Sequence, residues 1–166
     1  MIRKLFWSLV FMLIAGLLQS AVLGRFAVFG AVPDLTLGIL VYVAYANGTM
    51  AGQVTGFLSG IMLDFLSAAP LGCNMLIRTI IGAVTGLMKG RFFLDIVFLP
   101  ASLCAGATLL KAVCRNLLHI LFSAVPAYDF SGPVFWVEFG FSVILAPFLF
   151  ALLKLCKNML TDQGKA

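Results

Sequence analysis

The chain has 166 residues, of which 63% are hydrophobic and 10% charged, with a mean hydropathy of +1.14; ordinary soluble domains are about 45–50% apolar. A water-soluble globular fold is excluded, and apolar runs of helical length without the roughly ten-residue alternation of a barrel predict an all-α integral membrane protein. The net charge of +5 is scattered between apolar runs rather than gathered on one face, which argues against a nucleic-acid-binding surface and leaves the basic residues to report topology.

In chain order the pattern predicts six membrane helices in a single domain covering 1–166, with spans near 5–23, 35–46, 49–66, 71–88, 100–125 and 133–155. About 20 apolar residues are needed to cross a bilayer, so six such segments leave little room for a soluble module. The first run is too long for a secretory signal core of about 7–15 residues, and Gln19-Ser20-Ala21 is a poor cleavage site, so a retained first span is expected. Pro33 and Asp34 make a good start for helix two, because proline has no amide to orphan and a carboxylate suits the first helical turn. Residues 92–125 would form a helix about 50 Å long against a hydrocarbon core of about 30 Å. Pro100 resolves this if it opens the fifth span and leaves 92–99 as an interfacial segment. Pro147 is expected to kink the sixth.

Helices three and four carry two ladders at four-residue steps: Gly48, Gly52, Gly56, Gly60, Asp64 and then Asn74, Arg78, Gly82, Gly86, Gly90. Small residues at this spacing let helix backbones approach closely. A tight return over 65–72 makes the pair an antiparallel hairpin with Asp64 and Arg78 near the same end. Each four-residue step overshoots a full turn by about 40°, so a ladder winds around its helix. Either its partner crosses in the right-handed sense, or successive rungs serve different neighbours, and the drift favours a seam with more than one neighbour; packing within the chain is expected for most rungs, with surplus small-residue surface available to a second protein.

Placing Arg3, Lys4, Lys89, Arg91, Lys154, Lys157 and Lys165 inside, and Arg25, Arg78, Lys111 and Arg115 outside or in the outer half, satisfies the positive-inside rule with both termini cytoplasmic. Five spans would put the termini on opposite sides and lose this agreement. On the six-span topology Asp64, Arg78, Arg115 and Glu138 share the outer half, and charges in lipid face one another or a wet cavity. The expected pairs are Asp64 with Arg78 and Glu138 with Arg115. Lys111 and His119 flank Arg115 on one helical stripe and are explained by snorkelling toward the headgroups. Asp95 and Asp129 read as loop or interface residues. Cys73, Cys104, Cys114 and Cys156 show no metal or redox spacing and read as small core residues. No nucleophile stands beside a base, and no phosphate loop or metal motif occurs, so neither a catalytic set, a metal nor a cofactor is expected.

The stretch Pro33-Asp34-Leu35-Thr36-Leu37, Val41-Tyr42, the glycines at 48, 52, 56 and 60, Asp64, Ser67, Pro70-Leu71-Gly72 and Gly82/Gly86 resembles the MreD family of bacterial rod shape-determining inner-membrane proteins. The resemblance implies a non-enzymatic scaffold subunit of the cell-elongation machinery. Its implied partners are an MreC-like single-span protein, MreB filaments, a RodA-like glycan polymerase and a class B penicillin-binding protein. It also implies a fold similar to the six-helix substrate-binding subunits of energy-coupling-factor vitamin transporters. Two functions follow as expectations: a scaffold seating MreC on glycine-rich helix surface, or a small-ligand or lipid-binding subunit whose outer charges line a cavity.

Overall fold

The computed structural model describes residues 2–21, 33–67, 70–90, 98–122 and 132–155. Within them lie six helices: α1 (Ile2–Ala21), α2 (Leu35–Asn47), α3 (Thr49–Leu66), α4 (Cys73–Leu87), α5 (Phe98–Leu121) and α6 (Pro133–Leu155). All six expected helices are found. Arg25, Arg91, Asp95, Asp129, Cys156, Lys157 and Lys165 lie outside the described residues, as does most of the expected interfacial segment. Phe98 and Leu99 already belong to α5, so Pro100 sits inside its first turn, where a missing amide breaks no helical bond, and the helix ends at Leu121. Helix α6 runs unbroken through Pro147.

The bundle is arranged around α2, which packs against each of the other five helices. Its sequence is apolar on every side, as a central helix requires, and the run from Thr36 to Val41 is buried throughout. At 13 residues it is about 20 Å long, too short to cross a bilayer core of about 30 Å. Leu37, Leu40 and Val41 meet Ile77 and Ile81 of α4 and Leu103 and Ala107 of α5 in one core cluster. On the α6 side Tyr42 stacks edge-on against Phe150, with ring centroids 5.1 Å apart. Gly48 ends α2 and starts α3 in a single residue, with φ at +99°, a conformation that costs other residues a steric clash.

Outside, the bundle is apolar: Val54, Phe57 and Phe65 on α3, Leu76, Ile80 and Val84 on α4, and Ile144 and Phe148 on α6 are all exposed. Among the described residues, Phe98–Leu121 and Val134–Leu155 are the two helices long and apolar enough to cross a membrane by length and composition.

The two glycine ladders face each other along a single seam. A Cβ added at Gly52 would meet the carbonyl of Gly82, one at Gly56 the carbonyl of Arg78, one at Gly60 the backbone of Asn74 and Met75, and one at Gly86 the backbone of Thr49. The pairs 52/82, 56/78 and 60/74 step by four in opposite directions, which fixes the antiparallel register of α3 on α4. Most rungs therefore pack within the chain, and Gly52 has a second neighbour as well, since its added Cβ would also meet the Cβ of Ala44 on α2. Both helices carry the same four-residue step, so their stripes drift together and the helices stay in contact by winding about each other. Gly48 differs, since an added Cβ there would meet the side chain of Lys89 rather than backbone. Gly52, Gly56, Gly60, Gly82 and Gly86 are buried within the chain and offer no glycine surface to a second protein.

Substitution of the seam should therefore separate sharply from substitution elsewhere. Gly56→Leu is expected to lower stability by at least about 1–3 kcal/mol, because backbone cannot move aside as a side chain can. Gly106→Ala, where an added Cβ meets nothing within 4 Å, is expected to leave the melting temperature unchanged or raise it through helix propensity. Thermal unfolding of the purified variants in detergent checks both; equal tolerance at the two positions would refute the seam.

A buried charge network as the candidate functional site

Asp34 is the N-cap of α2, its Oδ1 accepting from the amide of Leu37 at 3.0 Å, and the hydroxyl of Thr36 donates to the same oxygen at 2.8 Å. A capping carboxylate satisfies the first orphan amides and the positive end of the helix. Because α2 is short and central, that cap lies in the interior, and Asp34 is 8% exposed. Two cations reach it from different helices. Arg78 of α4 donates through Nη2 to Oδ1 at 2.9 Å, to Oδ2 at 3.1 Å and to the Thr36 hydroxyl at 2.7 Å. Lys111 of α5 donates through Nζ to Oδ2 at 2.8 Å and to Glu138 Oε1 of α6 at 2.6 Å. Asp34, Arg78, Lys111 and Glu138 thus form one network across α2, α4, α5 and α6, in which two acids balance two bases.

The seam explains why Arg78 reaches Asp34. By register Arg78 lies opposite Gly56, where the absence of a side chain lets α4 come close, while Asp64 stands two helical turns further on, about 12 Å along the axis. Asp64 has other work. Its carboxylate accepts from the amides of Gly72 at 2.9 Å, Asn74 at 3.0 Å and Met75 at 3.2 Å, so the acid at the end of α3 caps the start of α4. Gly72, with φ at +97°, turns the chain so that these amides converge.

Arg78 bonds Asp34 rather than the expected Asp64, and Glu138 takes a 2.6 Å bond from Lys111, whose charge the sequence alone assigns to the headgroups. Lys111 does not snorkel, because two carboxylates in the interior are nearer than water. Arg115 lies one turn beyond Lys111, half-buried, and with Asp64 falls within electrostatic reach of the Cys73 thiol at the start of α4. His119 is exposed in the last turn of α5. Of the four predicted cluster residues, Arg78 and Glu138 belong to the network, whereas Asp64 caps the hairpin. Asp34 and Lys111 are the members that sequence reasoning missed. The signal for Asp34 was its place in the Pro33-Asp34-Leu35-Thr36 start of a helix too short to span.

Four buried hydroxyls elsewhere bond within their own helices, whereas the buried Ser142 Oγ has no partner among the described residues. Ser59 bonds the carbonyl of Gly56, Thr85 that of Ile81, Thr108 that of Cys104, and Thr55 that of Ala51, as in apolar surroundings where water is absent. Among the described residues no group of His, Cys, Asp or Glu has the arrangement to hold a metal ion. The network offers ion pairing and helix fastening; Arg78 Nη1 is buried and has no hydrogen-bond partner among the described residues.

A family model described as rod shape-determining protein MreD matches residues 1–156. No curated protein and no solved structure matches the chain.

Breaking the network at one member leaves an uncompensated buried charge, which destabilises by about 3–5 kcal/mol. Arg78→Met and Asp34→Asn are each expected to show such a loss in detergent unfolding, with a coupling of about 0.5–3 kcal/mol in the double-mutant cycle. Asp64→Ala is expected to remove about 0.5–2 kcal/mol as a lost cap and to show no coupling to Arg78→Met. Coupling of Arg78 to Asp64 instead of Asp34 would contradict the geometry.

Proposed function

The chain belongs to the MreD family of rod shape-determining proteins, and on that premise we propose that it is a non-enzymatic, multi-pass scaffold of the bacterial inner membrane. The family is one of membrane proteins with a role in cell shape. In this reading both termini are cytoplasmic, the six helices form the scaffold, and its immediate partner is an MreC-like single-span protein. The elongation machinery of peptidoglycan synthesis is organised around that pair, with MreB filaments, a RodA-like polymerase and a class B penicillin-binding protein as further members.

The observation that supports a scaffold best is the mutual pairing of the interior charges. Asp34, Arg78, Lys111 and Glu138 pair with one another, with Arg78 Nη1 buried and without a hydrogen-bond partner among the described residues, and Asp64 is bonded to three amides. Such a constellation holds helices in place. Because the glycine seam is closed within the chain, the partner's helix would meet the larger apolar side chains that flank it, such as Val54 and Phe57 on α3 and Ile80 and Val84 on α4. The alternative, a small-ligand subunit like those of vitamin transporters, calls for a roomy polar cavity. The crevice at the edge of the network has room for about one water.

Affinity purification of the tagged chain from membranes of a rod-shaped bacterium tests the proposal. An MreC-like protein is expected to copurify in stable proportion, and loss of the chain is expected to turn rods into spheres. Recovery without such a partner, but with a bound small molecule near Arg78 and Arg115, would reverse the ranking of the two readings.

A further inference from the structure

Gln53 is out of keeping with the outer face of the α3–α4 hairpin. Among the described amide side chains, those of Gln19, Asn47, Asn74 and Asn116 are partly enclosed by the bundle, whereas that of Gln53 is exposed and has no hydrogen-bond partner among the described residues. Its neighbours on that face are apolar: Met50 and Phe57, one turn away in either direction, and Val54 beside it are all exposed.

The glycine seam fixes its depth. Gly52 lies opposite Gly82 and Gly56 opposite Arg78, so Gln53 stands only about 5 Å along the axis from the level of the Arg78 backbone. In the other direction α4 continues from Gly82 to Leu87, about 8 Å, before the exposed Lys89 is reached. A glutamine stem is too short to carry its amide over that distance, as a lysine stem can. In a membrane the amide therefore faces hydrocarbon, where a polar group without a hydrogen bond is unfavourable. Ser20 and Thr79 avoid this by bonding the carbonyls of Leu17 and Met75 in their own helices. The amide of Gln53, which carries two donors and an acceptor, has taken no such partner and is left to be satisfied from outside.

The surroundings suit one kind of occupant. Helix α2 packs against both α3 and α4, and the face of the hairpin left exposed carries two apolar rows, Met50, Val54 and Phe57 on α3 and Ile80, Val84 and Leu87 on α4. A single helix lying along the hairpin touches both rows and covers Gln53. We propose that Gln53 is the polar anchor for the membrane helix of a single-span partner, and that this helix presents at the matching depth a side chain that both donates and accepts a hydrogen bond, an amide or a hydroxyl. The inference rests on the scaffold reading and deepens it. The apolar rows supply contact area, while the amide sets the depth and rotation of the partner, because a slipped alignment leaves two polar groups unpaired in lipid.

Copurification of the single-span partner with the tagged full chain, wild type against Gln53→Leu, tests this. Recovery of the partner is expected to fall several-fold in Gln53→Leu, while the melting temperature of the chain alone stays unchanged, since the side chain fastens nothing within the bundle. Photocrosslinking from Met50→p-benzoylphenylalanine, which keeps Gln53, is expected to mark the partner's membrane segment within about one turn of an Asn, Gln, Ser or Thr. Undiminished recovery in Gln53→Leu would overturn the anchor and leave the scaffold reading standing, as would crosslinks confined to a second copy of the chain or to lipid. A melting temperature that falls together with recovery would make Gln53 a residue of the fold and likewise overturn it. Recovery of no single-span protein with the wild-type chain would overturn the scaffold reading and the anchor together.

Discussion

A carboxylate in an apolar interior must be matched where it stands, and in this chain that carboxylate is Asp34. Burying an ion without partners costs several kcal/mol, and water is not at hand to relieve it. Asp34 is placed inside because it caps a helix that is itself the centre of the bundle. The cap is a local requirement of α2, and its consequence is global: α4 must deliver Arg78, α5 must deliver Lys111, and α6 must deliver Glu138 to balance the lysine. Packing alone would allow helices in a lipid-like environment to slide or rotate, since one apolar face resembles another. The network removes that freedom by specifying depth and rotation for four helices at once.

The glycine seam and the network are two parts of one arrangement. Gly52, Gly56 and Gly60 let α3 and α4 approach until backbone meets backbone, and the register that results sets the height of Arg78. Were the hairpin to slip by one rung, Arg78 would move about 6 Å along the axis and lose Asp34. At the other end of the same hairpin, Asp64 and the left-handed Gly72 fix the turn. A polar cap, a close-packed seam and an ion pair thus define the hairpin along its whole length, each at a different depth.

Much of this is written plainly in the sequence. Six apolar segments, the antiparallel hairpin, the helix start at Pro33-Asp34 and the presence of an interior charge cluster follow from periodicity, composition and the scarcity of charge. The pairings do not. Asp64 and Arg78 are close along the chain and at one end of a hairpin, which makes them natural partners, but the carboxylate of Asp64 is taken up by three amides at the start of α4. Lys111 has a side chain long enough to snorkel, and sequence cannot show that two acids lie closer than the headgroups. The drift of the glycine ladder is legible as winding. What one strand of sequence could not reveal is that its partner winds with it, because that depends on both ladders sharing one step.

The central claim, that Lys111 joins Asp34 to Glu138 in the interior, is most directly tested by solid-state NMR in lipid bilayers. Lysine labelled with ¹⁵N at Nζ and aspartate labelled with ¹³C at its carboxyl allow dipolar dephasing to report contact between the two. Strong dephasing is expected at a single lysine, consistent with an Nζ–Oδ2 separation of 2.8 Å, and is expected to disappear in Asp34→Asn. Absence of dephasing in the wild-type chain, or its persistence in Asp34→Asn, would contradict the claim.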